Sequence, residues 1–257
     1  MPESLQIIAP HAPAFLLVLS RMAGLFVFAP MLASAAVPLR IRILLAVALC
    51  LCVYPLIPPD SLAAWAGPQL VLALVSELAV GLVLGFAVLL PLIAMRMAGT
   101  LIGQQLGLDL AEVYHPDHGG SADVVGQLLL LTALTIFLLM DGHRALLSSL
   151  IGSFERIPPG GRMPDGQWLA LLAGLLGSMV ELAVRVAAPV LCLVFIEAAT
   201  LGFVGRTIPQ LNVLSAGFPL RIALGLAMLA LVVGFMGHAF AGAMRETFAA
   251  LARVTGL

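Results

Sequence analysis

The sequence predicts an all-α, polytopic membrane protein of about six long and partly broken helices. Apolar residues make up 62% of its 257 positions and charged residues only 10%, with a mean hydropathy of +1.14. One soluble core of this length could not hide such a surplus. Charge-free stretches recur at membrane-span length, at 22–39, 43–59, 78–95, 124–140 and 222–244, where a spanning helix needs about 20 residues. No run alternates apolar and polar residues long enough to read as a strand. A soluble enzyme, a disordered chain and a secreted disulfide scaffold are disfavoured together.

Six helical units are expected, at 12–36, 43–58, 70–95, 124–154, 167–204 and 211–250. The first carries Arg21 and stops before the Val37-Pro38 break. Glu3 precedes it with no basic residue before Arg21, the wrong flank for a secretory signal. The segment is therefore expected to be retained, although Ala33-Ser34-Ala35 has the pattern of a cleavage site. The second follows Arg40 and Arg42 and ends at Pro58-Pro59-Asp60; the third holds Glu77. Pro158-Pro159-Gly160-Gly161 separates the fourth from the fifth. The fifth joins two apolar windows, 166–180 and 186–196, across Glu181 and Arg185, and the sixth contains the longest charge-free run, 222–244.

All 12 basic residues are Arg, against 13 acids, and the ten at the connections divide five and five between the two faces that six spans would create. The positive-inside rule therefore gives no orientation. With a net charge of −1 there is no basic field for nucleic acid and no polybasic lipid anchor. Cys50, Cys52 and Cys192 sit in apolar runs without the spacing of a zinc site and read as small packing residues.

Almost every unit carries a flaw. Arg21, Glu77, Glu181, Arg185 and Glu197 place charge inside apolar helices, and Pro55, Pro91, Pro189 and Pro219 interrupt them. Such helices tolerate lipid badly, so these faces should meet other protein or water. Crowding by sister polypeptides is the expectation.

Four features could carry function. Gly81 and Gly85, then Gly99, Gly103 and Gly107, repeat at four-residue spacing, with Gln104 and Gln105 beside them. Such a ridge lets another backbone approach closely, so this should be a helix-packing seam within the chain or between subunits. The most polar stretch runs from Gly107 to Asp123, with Asp109, Glu112, Tyr114, His115, Pro116, Asp117, His118, Gly119 and Gly120. His115, Asp117 and His118 could be a metal site, but Pro116 and the two glycines oppose the helical spacing that a metal pair uses. A loop blocking or lining an aqueous passage fits its glycines and short acids better. Glu181 and Arg185 stand at i,i+4, and the expectation is a static buried ion pair ahead of a relay. Glu77 and Glu197 have no sequence-adjacent partner; a relay role or an Arg of another subunit are both open. No nucleophile motif, Walker motif or dinucleotide fingerprint occurs, so no cofactor is expected and the chain reads as no enzyme.

The block Gly205-Arg206-Thr-Ile-Pro209-Gln210-Leu-Asn212-Val-Leu-Ser-Ala-Gly217-Phe-Pro219-Leu220 resembles the signature loop of the FliR family of flagellar type III export proteins. Val37-Pro38-Leu-Arg40-Ile-Arg42, the run from Gly81 to Gly107, and the break Asp141-Gly142-His143 agree in register, so the likeness covers the chain nearly end to end. The resemblance implies a FliP-like part at 1–165 and a FliQ-like helical hairpin at 166–257. The hairpin tip would hold Arg206, Pro209, Gln210, Asn212, Gly217 and Pro219. It implies a plug role for 107–123, FliP-like, FliQ-like and FlhB-like partner subunits, and unfolded exported proteins as cargo. It also implies a place in the bacterial inner membrane at the flagellar basal body, with much of the complex raised out of the bilayer. His115, His118 and Asp123 map to no family pattern. The alternatives are the related injectisome component, a proton-coupled secondary transporter using Glu77, Glu181 or Glu197, and an intramembrane hydrolase.

Overall fold

The structure is a computed structural model that describes residues 12–30, 38–57, 67–108, 123–161, 166–207 and 213–255. The described residues are almost entirely helical and contain no strand. In chain order the helices are α1 Ala12–Phe28, α2 Leu39–Val53 with a 3-10 turn at Tyr54–Leu56, α3 Pro68–Leu106, α4 Val124–Leu139, α5 Gly142–Arg156, α6 Gln167–Thr207 and α7 Val213–Thr255.

Local chemistry sets the boundaries. Gly67 has φ 61° and Pro68 opens α3 at its first position, where the missing N–H is no loss. Pro55 falls in the 3-10 turn, so α2 stops short of the expected 58. At the other end of α3, Gly107 has φ 74°, its N–H bonds Gln104 O, and Leu108 N–H bonds Gly103 O. This is a Schellman cap, and Gly107 is thereby a helix stop, not a member of the packing ridge. Asp141 takes φ 56°, a left-handed conformation that Asp tolerates, and its carbonyl accepts the first N–H groups of α5. The chain bends by 66° between α4 and α5 at this point, where Asp141-Gly142-His143 marked a break. By contrast α3, α6 and α7 run through Pro91, Pro189 and Pro219 without ending.

Among the described residues three helices, α3, α6 and α7, are long and apolar enough to cross a membrane, and α4 with α5 makes a fourth if the bent pair is one span. With the shorter α1 and α2, of 17 and 15 residues, these make up the six helical units that the sequence predicts, one of them broken at Asp141.

The chain divides into two compact units, 1–90 with 138–176 and 244–257, and 91–137 with 177–243, so each of the three long helices contributes to both. In the first unit α1 and α3 nearly touch backbone to backbone. A Cβ on Gly24 would meet Leu78 O and Leu82 N, one on Gly81 would meet Arg21 O and Leu25 N, and one on Gly85 would meet Leu25 O. Leu17, Val18, Met22 and Leu25 of α1 and Leu84, Ala87 and Val88 of α3 are buried. Arg156 donates to Arg253 O and tethers the last turn of α7. In the second unit a Cβ on Gly99 would meet Gly126 Cα and Val125 O, so α3 and α4 pack as closely there.

Gly81→Ala and Gly24→Ala should each lower the melting temperature of the purified chain by several degrees, because a methyl group there collides with backbone. Gly174→Ala, where nothing lies within 4 Å, should leave it unchanged or slightly raised. Thermal unfolding followed by circular dichroism checks both.

Candidate functional site

Two groups of residues are candidates: the charges inside the helices, and the rims from which the polar segment leaves and returns. In the first unit Arg21, on α1, and Glu77, on α3, are both fully buried, with Arg21 Nε 2.6 Å from Glu77 Oε2. Arg21 Nη1 donates to Ser153 Oγ at 2.9 Å and Nη2 to Ile157 O at 2.9 Å. Its guanidinium carbon lies 4.0 Å from the centre of the Phe154 ring, a cation–π contact. Glu77 Oε1 accepts Gly160 N–H at 2.8 Å. Each charge thus meets an opposite charge and backbone or hydroxyl partners, as burial requires.

In the second unit Glu197 of α6 pairs with Arg221 of α7, Arg221 Nε lying 3.0 Å from Glu197 Oε2. Glu197 Oε1 has no hydrogen-bond partner among the described residues, and Gly217 passes nearby on α7. A groove of about 710 Å³ is lined by Leu191, Cys192, Phe195 and Ile196, with Gln105 and Arg221 as its polar members.

These contacts correct three expectations. Glu77 and Glu197 find their arginines inside the chain, so neither calls for an Arg of another subunit. Glu181 and Arg185 do pair, but their side chains are 66% and 63% exposed, so this pair is not buried. Residues four apart share whichever face the helix gives them, and here that face points outward. The buried pair is Arg21–Glu77. With Arg21 and Glu77 satisfied within the chain and Glu197 ion-paired there through Oε2, internal charge gives no reason to invoke an arginine of a partner subunit.

The polar stretch is described only at its rims; Asp109, Glu112, Tyr114, His115, Pro116, Asp117, His118, Gly119 and Gly120 lie outside the described residues. Gly107 is the cap of α3. Asp123 is the N-cap of α4, its Oδ1 accepting Gly126 N–H at 2.9 Å. Its Oδ2 accepts Thr100 Oγ1 at 3.0 Å and Arg96 Nε at 3.2 Å, both from α3. One carboxylate therefore starts α4 and ties it to α3. At 1.5 Å per residue, Thr100 and Gly107 are about 10 Å apart along α3, so this helix fixes both rims.

Of the remaining ridge, Gly81, Gly85 and Gly99 make the close contacts given above, Gly103 is buried, and Gln104 and Gln105 are exposed. Of the tip, Arg206 is exposed at the end of α6, while Pro209, Gln210 and Asn212 lie outside the described residues. Gly217 is buried against Leu201, and Pro219 is exposed within the first turns of α7. The second arm therefore begins earlier than a tip reaching Pro219 would require. Gly24 and the N-cap role of Asp123 were missed. An Asp directly before the apolar run at Val124 is a helix-start signal that could have revealed the latter.

The most extensive feature is an apolar surface. Only 33% of the most apolar stretch of α6 and 22% of that of α7 is buried, against 61% for α3. Phe195 is 76% exposed, Phe203 74% and Leu231 70%. With 41 and 43 residues, each helix is about 60 Å long, twice the roughly 30 Å hydrocarbon core of a bilayer.

Residues 12–247 match the profile of Bacterial export proteins, family 1. The chain is 34% identical to the flagellar biosynthetic protein FliR of Bacillus subtilis over 221 residues, covering 84% of this chain and 85% of the relative. It is 31% identical to that of Escherichia coli over 228 residues, 86% of each. The Yop proteins translocation protein T of Yersinia pestis is 28% identical over 231 residues, 88% of each.

Asp123→Asn should keep the helix cap but lose the charge pairing with Arg96, whereas Asp123→Ala loses both. The alanine variant should be the less stable of the two, by about 1 kcal/mol. Equilibrium unfolding of the two variants measures the difference.

Proposed function

Because the chain belongs to the bacterial export proteins of family 1, we propose that it is a non-enzymatic structural subunit of a flagellar type III export gate in the bacterial inner membrane. Its work is geometric: with FliP-like and FliQ-like subunits it closes a helical ring whose centre is the passage for unfolded cargo. A FlhB-like subunit adjoins the ring. Residues 1–165 take the FliP-like place and the α6–α7 hairpin the FliQ-like one.

The observation that carries this reading is the mismatch between α6 and α7 and any bilayer. A helix about 60 Å long cannot be covered by lipid alone. Apolar side chains left outside the lipid would face water at roughly 25 cal/mol per Å². Phe195 and Ile196 on α6 and Leu231 on α7 are exposed in the single chain. Neighbouring helices supply the cover, and glycines such as Gly177 and Gly202, where an added Cβ would meet nothing within 4 Å among the described residues, let them come close.

Within the ring the 107–123 stretch serves as the plug. Support comes from its acids and glycines and from its two rims, both held by α3 through the Gly107 cap and the Asp123 carboxylate. On this reading cargo displaces the plug while the helices that hold its rims stay in place. The flagellar assignment is favoured over the injectisome by the higher identity to the flagellar relatives. A proton-coupled transporter loses its motivation, since Glu77 and Glu197 each have a fixed arginine.

Co-expression with the FliP-like and FliQ-like subunits should capture all three chains in one complex through a tag on this one. Phe195→Glu combined with Leu231→Glu should leave the chain folded but cut capture at least tenfold; undiminished capture would show that this face is no interface. Deleting 109–122 should raise ion leakage through the assembled gate, and leakage equal to the parent's would remove the plug role.

A further inference from the structure

We propose that the Arg21–Glu77 pair is a lock that selects one docking of the α5–α6 turn, not a tether between helices. The tether is already present: Gly24, Gly81 and Gly85 hold α1 and α3 in backbone contact whether or not charges are there. What the pair adds is directed at the turn. Arg21 Nη2 takes Ile157 O, and Glu77 Oε1 takes Gly160 N–H. Pro158 and Pro159 lie between and have no N–H. Ile157 N–H bonds Ser153 O and Gly161 N–H bonds Pro158 O. Gly160 therefore carries the one N–H of 157–161 without a partner in its own segment, and Glu77 meets it. One acceptor and one donor, three residues apart, are read by two opposite charges that hold each other in place. Ser153 and Phe154 complete the grip from α5.

Buried pairs of this kind give little net stability relative to apolar residues of similar size, because desolvation offsets their attraction. Removing one partner is costly because the other is stranded. Their best-attested use is to fix one arrangement among several. Here the arrangement is that of the 157–161 turn ahead of α6, whose first described turn holds the buried Trp168. On the export-gate reading, α6 is a partner-facing helix, so these two positioning residues, buried beyond the reach of any partner, set the angle at which it is offered.

The test uses the full chain with Trp65→Phe, leaving Trp168 as its single tryptophan. Arg21→Met and Glu77→Met alone should each lower the melting temperature by roughly 10 °C. The double variant should regain most of that loss, yet show red-shifted Trp168 emission and several-fold stronger acrylamide quenching. Arg21→Lys keeps the charge but not the three-way geometry; it should melt near the parent and show the same loosened Trp168. A double variant that regains stability with parental quenching overturns the lock, as does Arg21→Lys with parental quenching or a double variant that stays as unstable as the single ones. Capture of the neighbouring subunits should fall in the double variant in step with the quenching, and full capture despite a loosened Trp168 overturns the link to docking. If the parent itself captures no neighbours, the export-gate reading fails instead, and the fluorescence arms still decide the lock.

Discussion

Apolar helices longer than a membrane is thick impose the main constraint on this protein. α3, α6 and α7 each extend about 60 Å at 1.5 Å per residue, and a bilayer offers roughly 30 Å of hydrocarbon. α3 meets the constraint internally, with most of its apolar stretch covered by the chain itself, whereas α6 and α7 leave theirs largely open. A lone chain has no environment that suits both halves of such a helix. An assembly of similar long helices does, and the family to which the chain belongs works in export. The exposure that would make a monomer insoluble is what a ring subunit needs on its flanks.

Inside the chain, polar groups are handled locally. Arg21 and Glu77 satisfy each other and the α5–α6 turn, and Glu197 has Arg221. Asp123 serves as cap and tie at once. These groups were first grounds for expecting partners, since charges in oily helices need company. That company is supplied by the chain's own helices, so the case for sister subunits stands on exposed apolar length and on kinship.

Much of the fold was legible because it is written in local chemistry. Pro158-Pro159-Gly160-Gly161 marked the turn before α6 and four-residue glycine spacing at Gly81 and Gly85 the tight seam with α1, while the bend at Asp141-Gly142 was marked only by the family resemblance. Pairing across helices was not legible. Glu77 finds Arg21 56 residues away and Glu197 finds Arg221 24 residues away, distances at which helical periodicity carries no information. The pair that periodicity could see, Glu181–Arg185, is on the surface, because spacing says that two residues share a face but not which way the face points. The six helical units were legible as apolar runs, but their ends were not: the 3-10 turn at Pro55 stops α2 early, and a left-handed Asp141 breaks the fourth unit in two. For the candidate site, the close contacts of Gly81, Gly85 and Gly99 were readable, whereas the capping roles of Gly107 and Asp123 and the contacts of Arg21 with the 157–161 turn were not.

Accessibility of spin labels along α6 in the assembled complex reaches the central claim most directly. Labels placed at successive exposed positions from Leu169 to Phe203 would be compared for relaxation by lipid-soluble oxygen and by a water-soluble nickel chelate. Cover by neighbouring helices predicts low accessibility to both along the whole length. A band of about 30 Å open to oxygen, flanked by positions open to the chelate, would mean that lipid and water surround this helix and would contradict a role as a packed ring subunit.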